Sequence, residues 1–213
     1  MTKRLDTPAT LRKAKQHLCK ADPIMAMLIE RIGPCRLQIQ QETDLFLTLA
    51  RAIVFQQLHA KAAETIFQRT CALFPKSEQF TAKDIKRANE EKLRSAGLSR
   101  NKQLALRDLA DKTLNRTLPV MEELHALDNE SIIETLTTVR GIGRWTVEML
   151  LMFRLGRPDV LPVDDFGVRK GFMLMHGHEE MPTPKALKIH GEIWAPYRTV
   201  ASWYLWRATD TPA

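Results

Sequence analysis

The chain has 213 residues, of which 44% are hydrophobic and 27% charged, so it carries material for one sizeable core or two small lobes. Its apolar runs, Met149–Phe153 among them, are far too short to cross a bilayer, and the basic opening MTKRLDTPATLRKAKQHLCK lacks the apolar centre of a signal peptide. Lys and Arg outnumber Asp and Glu by 32 to 25, a formal charge of +7, which favours an anionic partner, nucleic acid first.

Cys19, Cys35 and Cys71 are the only three cysteines and lie far apart. They give neither a disulfide framework nor a close metal-ligand spacing, and a four-cysteine iron–sulfur cluster is impossible within one chain. An intracellular, reducing location is expected: cytoplasm or nucleoid in a bacterium, nucleus in a eukaryote.

Helical periodicity dominates from the first third of the chain onward, and strand alternation is scarce. Phe46, Leu49, Ala50, Ile53 and Val54 form one stripe, and Ala62, Ala63, Ile66, Phe67 and Thr70 form the next. The pattern predicts further helices over Thr81–Ala96 and Lys102–Asn115. Leu127–Val139 follows, with Asp128 or Asn129 as its cap and Ile132, Ile133, Leu136 and Val139 facing inward. Arg144–Leu155, Lys185–Trp194 and Pro196–Ala208 complete the set. The expected fold is all-α with short connections.

Between two of these helices stands VRGIGRWT, which spends two of the chain's nine glycines just before an apolar segment. Gly141 and Gly143 can adopt positive φ and let a backbone approach another molecule without a Cβ intervening. Successive N–H groups and the following helix N-terminus would then converge on a phosphate oxygen. Ile142 would plug the turn from within, and Arg140 and Arg144 would add charge at its rim. A plain helical hairpin is the alternative, its glycines merely ending one helix and starting the next.

PVDDFGVRKG places Asp164 and Asp165 at the head of a helical pattern, where Asp is a favoured cap. A carboxylate fixed there is also suited to stabilising a positive charge that develops beside it.

The stretch LTTVRGIGRWTVEMLLMFRLGRPDVLPVDDFGVRKGF resembles the signature of the helix-hairpin-helix DNA glycosylases, most closely the 3-methyladenine DNA glycosylase II branch that acts on alkylated bases. RAIVFQQLHAKAA and LRSAGLSRNKQLALRDLA are similar to two other segments of that branch, so the likeness runs from about Phe46 to the C-terminus. It implies two helical lobes flanking a central cleft: residues 43–157, with the wedge loop and the hairpin, and residues 1–42 with 158–213, bearing the catalytic Asp. It implies a monomeric enzyme that binds double-stranded DNA containing damaged bases, with no redox cofactor and no catalytic metal.

The resemblance assigns roles residue by residue. Arg140, Gly141, Gly143, Arg144 and Thr146 would hold the DNA backbone. In VFQQLHAK, Gln57 or Leu58 would enter the duplex as a base is rotated out, and His59 would contact the groove. A helix–helix corner with Leu58 in the core is the structural alternative for that segment. Trp145, Met149 and Trp206 would line the base pocket, an indole suiting a cationic alkylated purine. Trp203 and Tyr204 are expected to pack. Asp165 would stabilise the oxocarbenium-like sugar and orient water, with Asp164 as second choice. Some members carry a Schiff-base lysine where Trp145 stands, so a monofunctional reaction that leaves an abasic site is implied. This chain departs from many relatives in having Phe55 in place of a glycine, His59 in place of a small hydroxyl residue, and Met149 where an aromatic can occur. The rival readings are a non-catalytic helix-hairpin-helix DNA-binding protein and a glycosylase for ethenoadenine or hypoxanthine.

Overall fold

The computed structural model describes Leu5 and residues 7–40, 44–75 and 79–210. The expected lobe boundary at residues 42 and 43 lies outside them. Among the described residues the chain forms twelve α-helices and two 3-10 turns, with no strand, as the absence of alternating patterns predicts. No helix among them is long and apolar enough to cross a membrane.

The chain divides into two compact units, Met1–Gln41 with Glu148–Ala213, and Glu42–Val147. The first opens with α1 (Pro8–Ala21) and α2 (Pro23–Ile32), neither of which the hydrophobic stripes reveal. Both begin with a capping side chain followed by proline, Thr7–Pro8 and Asp22–Pro23, so the missing proline N–H falls where no acceptor exists anyway.

The second unit starts with α3 (Leu45–Phe55) and α4 (Ala60–Ala72). Phe46, Leu49, Ala50, Ile53 and Val54 on α3 are buried, as are Ala63, Phe67 and Thr70 on α4. The helix expected over Thr81–Ala96 is instead two short ones, α5 (Ala82–Arg87) and α6 (Glu90–Ser95). Ala88 turns extended, and Asn89 caps the second helix by accepting from the Lys92 amide, a local bond that outcompetes helix continuation. Then come α7 (Arg100–Leu114) and α8 (Asn129–Leu136), which starts at the Asp128 cap and is shorter at both ends than its apolar pattern.

The first unit resumes at Glu148 within α9 (Arg144–Phe153) and continues through α10 (Phe166–His176), α11 (Pro184–His190) and α12 (Arg198–Asp210). The last four residues of the helix expected over Lys185–Trp194 form a 3-10 turn, Gly191–Trp194. Helix α12 starts two residues later than expected and runs on to Asp210. The core of this unit gathers Leu18, Met25, Ile29, Val168, Phe172, Trp194, Tyr204 and Leu205.

Packing of α10 on α12 depends on glycine. A Cβ on Gly171 would lie 1.9 Å from the Leu205 carbonyl oxygen, and one on Gly167 would lie 2.8 Å from Trp206 Cδ1. One helical turn apart, these residues clear a groove into which the α12 backbone settles. That close approach brings Trp206 to the head of α10.

Candidate functional site

Asp165 is the N-cap of α10. Its Oδ1 accepts from the Val168 amide at 2.7 Å and from the Trp206 indole N–H at 2.8 Å. The first bond is the ordinary cap; the second comes from a residue 41 positions away and fixes the carboxylate's direction. Trp206 is held in turn by stacking on Phe153, ring centroids 5.8 Å apart. A Cβ on Gly167 would also come within 3.2 Å of Asp165 Oδ1, so this glycine keeps both groups in reach of each other. Asp165 is half-buried, whereas Asp164 is exposed in the preceding turn. Phe166, next along, is 64% exposed. Met149 is half-buried on α9. Tyr204 is buried and donates its hydroxyl to the Gly33 carbonyl, and half-buried Trp203 lies under the Arg207 guanidinium.

The hairpin between α8 and α9 belongs to the other unit. Ile142 is buried at its centre, while Arg140, Gly141, Gly143, Arg144 and Trp145 are exposed and Thr146 is half-buried. The two glycines have different causes. Gly141 sits at φ +80°, a conformation that L side chains avoid. Gly143 is not in that region, and a Cβ there would meet no atom of the protein within 4 Å. Nothing inside the molecule demands glycine at 143. The first turn of α9 follows at once, and a helix start with its positive dipole end favours an anion.

Three side chains that the sequence reading did not single out hold this surface. Gln56 donates Nε2–H to the Gly141 carbonyl at 2.7 Å, joining the end of α3 to the hairpin. Asp108, on α7, accepts the Arg140 amide at 2.7 Å and also the Lys112 ammonium. Partial burial opposes its ionisation, but the Arg140 N–H and Lys112 outweigh it and hold the carboxyl below its ordinary value. Glu130 takes the Arg144 guanidinium through both of its oxygens. Of the three, only Asp108 had a signal on its own helix, the Lys112 partner four residues on; the other contacts are non-local.

The segment after α3 is exposed. Gln57 has φ +57°, Leu58 is 39% exposed, and His59 caps α4 without a side-chain bond. Leu58 is therefore not a core residue of a helix corner. Phe55 closes α3 beneath the Arg51 guanidinium, 4.3 Å from its ring centroid, and Lys102 donates to the Val54 carbonyl at 2.7 Å. With Gln56 bonded to the hairpin, the chain entering the loop is tied at two points.

A helical chain with a glycine hairpin, and a tethered carboxylate at a helix head, matches the family model described as HhH-GPD superfamily base excision DNA repair protein over residues 50–196. The chain belongs to that superfamily. Among its relatives, DNA-3-methyladenine glycosylase 1 of Schizosaccharomyces pombe is 39% identical over 201 residues, covering 94% of this chain and 88% of that protein. The structure of the S. pombe 3-methyladenine DNA glycosylase in complex with abasic DNA superposes with a TM-score of 0.83 at 39% identity, covering 93% of this chain and 97% of that one. A DNA-3-methyladenine glycosidase from Bacillus halodurans gives 0.84 at 34% identity, covering 99% and 93%.

Proposed function

We propose that the chain is a monofunctional DNA glycosylase of base excision repair that hydrolyses the C1′–N bond of alkylated purines, 3-methyladenine and 7-methylguanine, rotated out of duplex DNA. The observation that carries this reading is the Asp165 carboxylate, held at the head of α10 by two N–H donors converging on one oxygen. The names of the similar proteins support the substrate class.

Alkylation at N3 or N7 places positive charge on the purine and weakens its bond to the sugar. Little is then asked of the protein beyond extrusion, stabilisation of the oxocarbenium-like sugar and an oriented water. Asp165 supplies the negative charge for the sugar and accepts the water's proton as the new C–O bond forms. Trp145, with 49% of its surface open, offers an aromatic face to the cationic base, and Met149 and Trp206 complete the set assigned to it. Indole offers no amine for a Schiff base, so the product is an abasic site and not a nicked strand. Gly141, Gly143, Arg140, Arg144 and Thr146 bind phosphate, and Gln57, Leu58 and His59 enter the groove where the base has left. The enzyme acts as a monomer inside the cell, which size-exclusion chromatography and fractionation check.

The test is incubation of wild type and Asp165→Asn with methylated duplex DNA, followed by chromatography of the freed bases. Wild type releases 3-methyladenine and 7-methylguanine. Asp165→Asn releases them about 10²–10⁴-fold more slowly while binding DNA with unchanged affinity. Equal release by both proteins moves catalysis to Asp164 or elsewhere, and release by neither leaves a DNA-binding protein without this activity. Duplexes carrying ethenoadenine or hypoxanthine, run beside these, separate the rival substrates.

A further inference from the structure

At the opposite end of α10 from Asp165 lies a second polar cluster that the proposed reaction does not use. Asp22, which ends α1 and caps α2, is 3% exposed. Its Oδ1 accepts from the Ile24 and Met25 amides at 3.0 and 3.1 Å. Its Oδ2 accepts from Trp194 Nε1–H at 2.9 Å and lies 3.2 Å from His190 Nε2. His176 is the last residue of α10, and His190 the last of α11. One ligand atom from each of Asp22, His176 and His190 lies within 4.8 Å of the other two.

We propose that Asp22, His176 and His190 form a structural site for a borderline transition-metal dication, zinc first, which pins the C-terminal end of α10 to α11 and to the α1–α2 junction. Two neutral imidazoles and one carboxylate are the donor set that zinc takes, at about 2.0–2.2 Å from the metal. Tetrahedral angles at those bond lengths set the ligand atoms about 3.3–3.6 Å apart, so binding requires side-chain rotation that contracts the present spread of up to 4.8 Å.

Several independent features point the same way. His176 Nε2 is buried with no hydrogen-bond partner, an arrangement that folded proteins normally remove and that a ligand bond would relieve. Both histidines stand at helix C-termini, where the dipole favours a cation. The Trp194 N–H on Asp22 Oδ2 is the outer hydrogen bond that orients a carboxylate ligand. Phe172 covers the cluster, its ring centroid 4.1 Å from that of His176 and 4.9 Å from that of His190. His178, its ring centroid 5.5 Å from that of His176, or a water would supply the fourth ligand. The site lies about 16 Å along α10 from Asp165, at 1.5 Å per residue, so its role is to stiffen and not to react.

The experiment uses the untagged full-length chain, stripped with a chelator and titrated with zinc sulfate by calorimetry and thermal melting, then with cobalt(II) by visible absorption. One equivalent of zinc binds, the melting temperature rises by several degrees, and cobalt gives the absorption of a four-coordinate site. His176→Gln and His190→Gln each weaken zinc binding by more than about 100-fold, beyond the loss seen when only an outer partner is removed. His125→Gln, in the other unit and not among the three ligands, keeps the full response. A wild type that binds no stoichiometric zinc and melts unchanged overturns the proposal, leaving Asp22 and His190 as a hydrogen-bonded pair alone. So does an undiminished response in both cluster variants, or equal loss in His125→Gln.

Discussion

At the scale of single residues, the candidate chemistry rests on the aim of one carboxylate. An N-cap aspartate is common, and the Val168 amide alone would leave Asp165 free to swing about its side-chain torsions. The indole N–H of Trp206 removes that freedom, and Phe153 holds the indole. Trp206→Phe is therefore an informative change, since it keeps an aromatic ring against Phe153 and deletes only the donor. Single-turnover release of methylated base should fall about tenfold to a hundredfold, about 1.4–2.7 kcal/mol of barrier. The melting temperature should shift by only a few degrees, because the lost bond is half-exposed. An unchanged rate would make Trp206 a packing residue only. The place of Asp165 at a helix head was legible from the sequence because its motif is local. The partner's role was not, because a contact across 41 residues leaves no trace in either segment. The glycine that permits it was in plain view in DDFGV, but only the fold reveals what it makes room for.

At the scale of elements, an apolar stripe made most helices readable, with or without a capping side chain, as α3 and α4 show; α2 carries both apolar residues and an Asp22–Pro23 start yet was not among the expected helices. α3 and α8 bury the stripes their sequences display. α1 has few apolar residues and was overlooked although Thr7 and Pro8 mark its start. The single helix expected over Thr81–Ala96 failed because a local Asn89 cap overrides a periodicity that continues through it. The hairpin itself was legible through Gly141, Ile142 and Gly143, whereas its anchorage on α7 was not. Asp108 supplies that anchorage, and its lowered pKa sets a testable pH dependence. A group ionised more readily in the folded state adds stability that is fully present above its unfolded value of about 4 and disappears as pH falls through the lower folded value. Asp108→Asn should thus be less stable than wild type at pH 7 by about 1 kcal/mol, a figure reduced for solvent access. The gap should close as pH drops below about 4. Urea unfolding of both proteins across that range checks it, and a gap that stays constant with pH would remove the charge from the account.

At the scale of the whole molecule, the excess of 32 basic over 25 acidic residues predicts attraction to DNA but says nothing about where the phosphates sit. The structure divides the candidates by their existing partners. Arg144 already faces the Glu130 carboxylate, so much of its charge is answered within the protein. The Arg140 side chain stands at an exposed turn whose amide, not its guanidinium, is bonded to Asp108. Gly143 carries no charge and clears space. These three should therefore respond differently to salt, because each phosphate neutralised by a side chain contributes about 0.9 to the slope of log affinity against log salt. Arg140→Ala should weaken binding to duplex DNA and lower that slope by about one. Arg144→Ala should lower it by less. Gly143→Ala should weaken binding with its slope unaltered, since a methyl group blocks the approach of a phosphate without changing the counterion balance, and should leave unfolding unaffected. Fluorescence anisotropy of an abasic duplex between about 50 and 200 mM salt resolves all three. If Gly143→Ala bound as wild type does, the hairpin would be a structural turn, and the basic charge that draws DNA would have to act from another face.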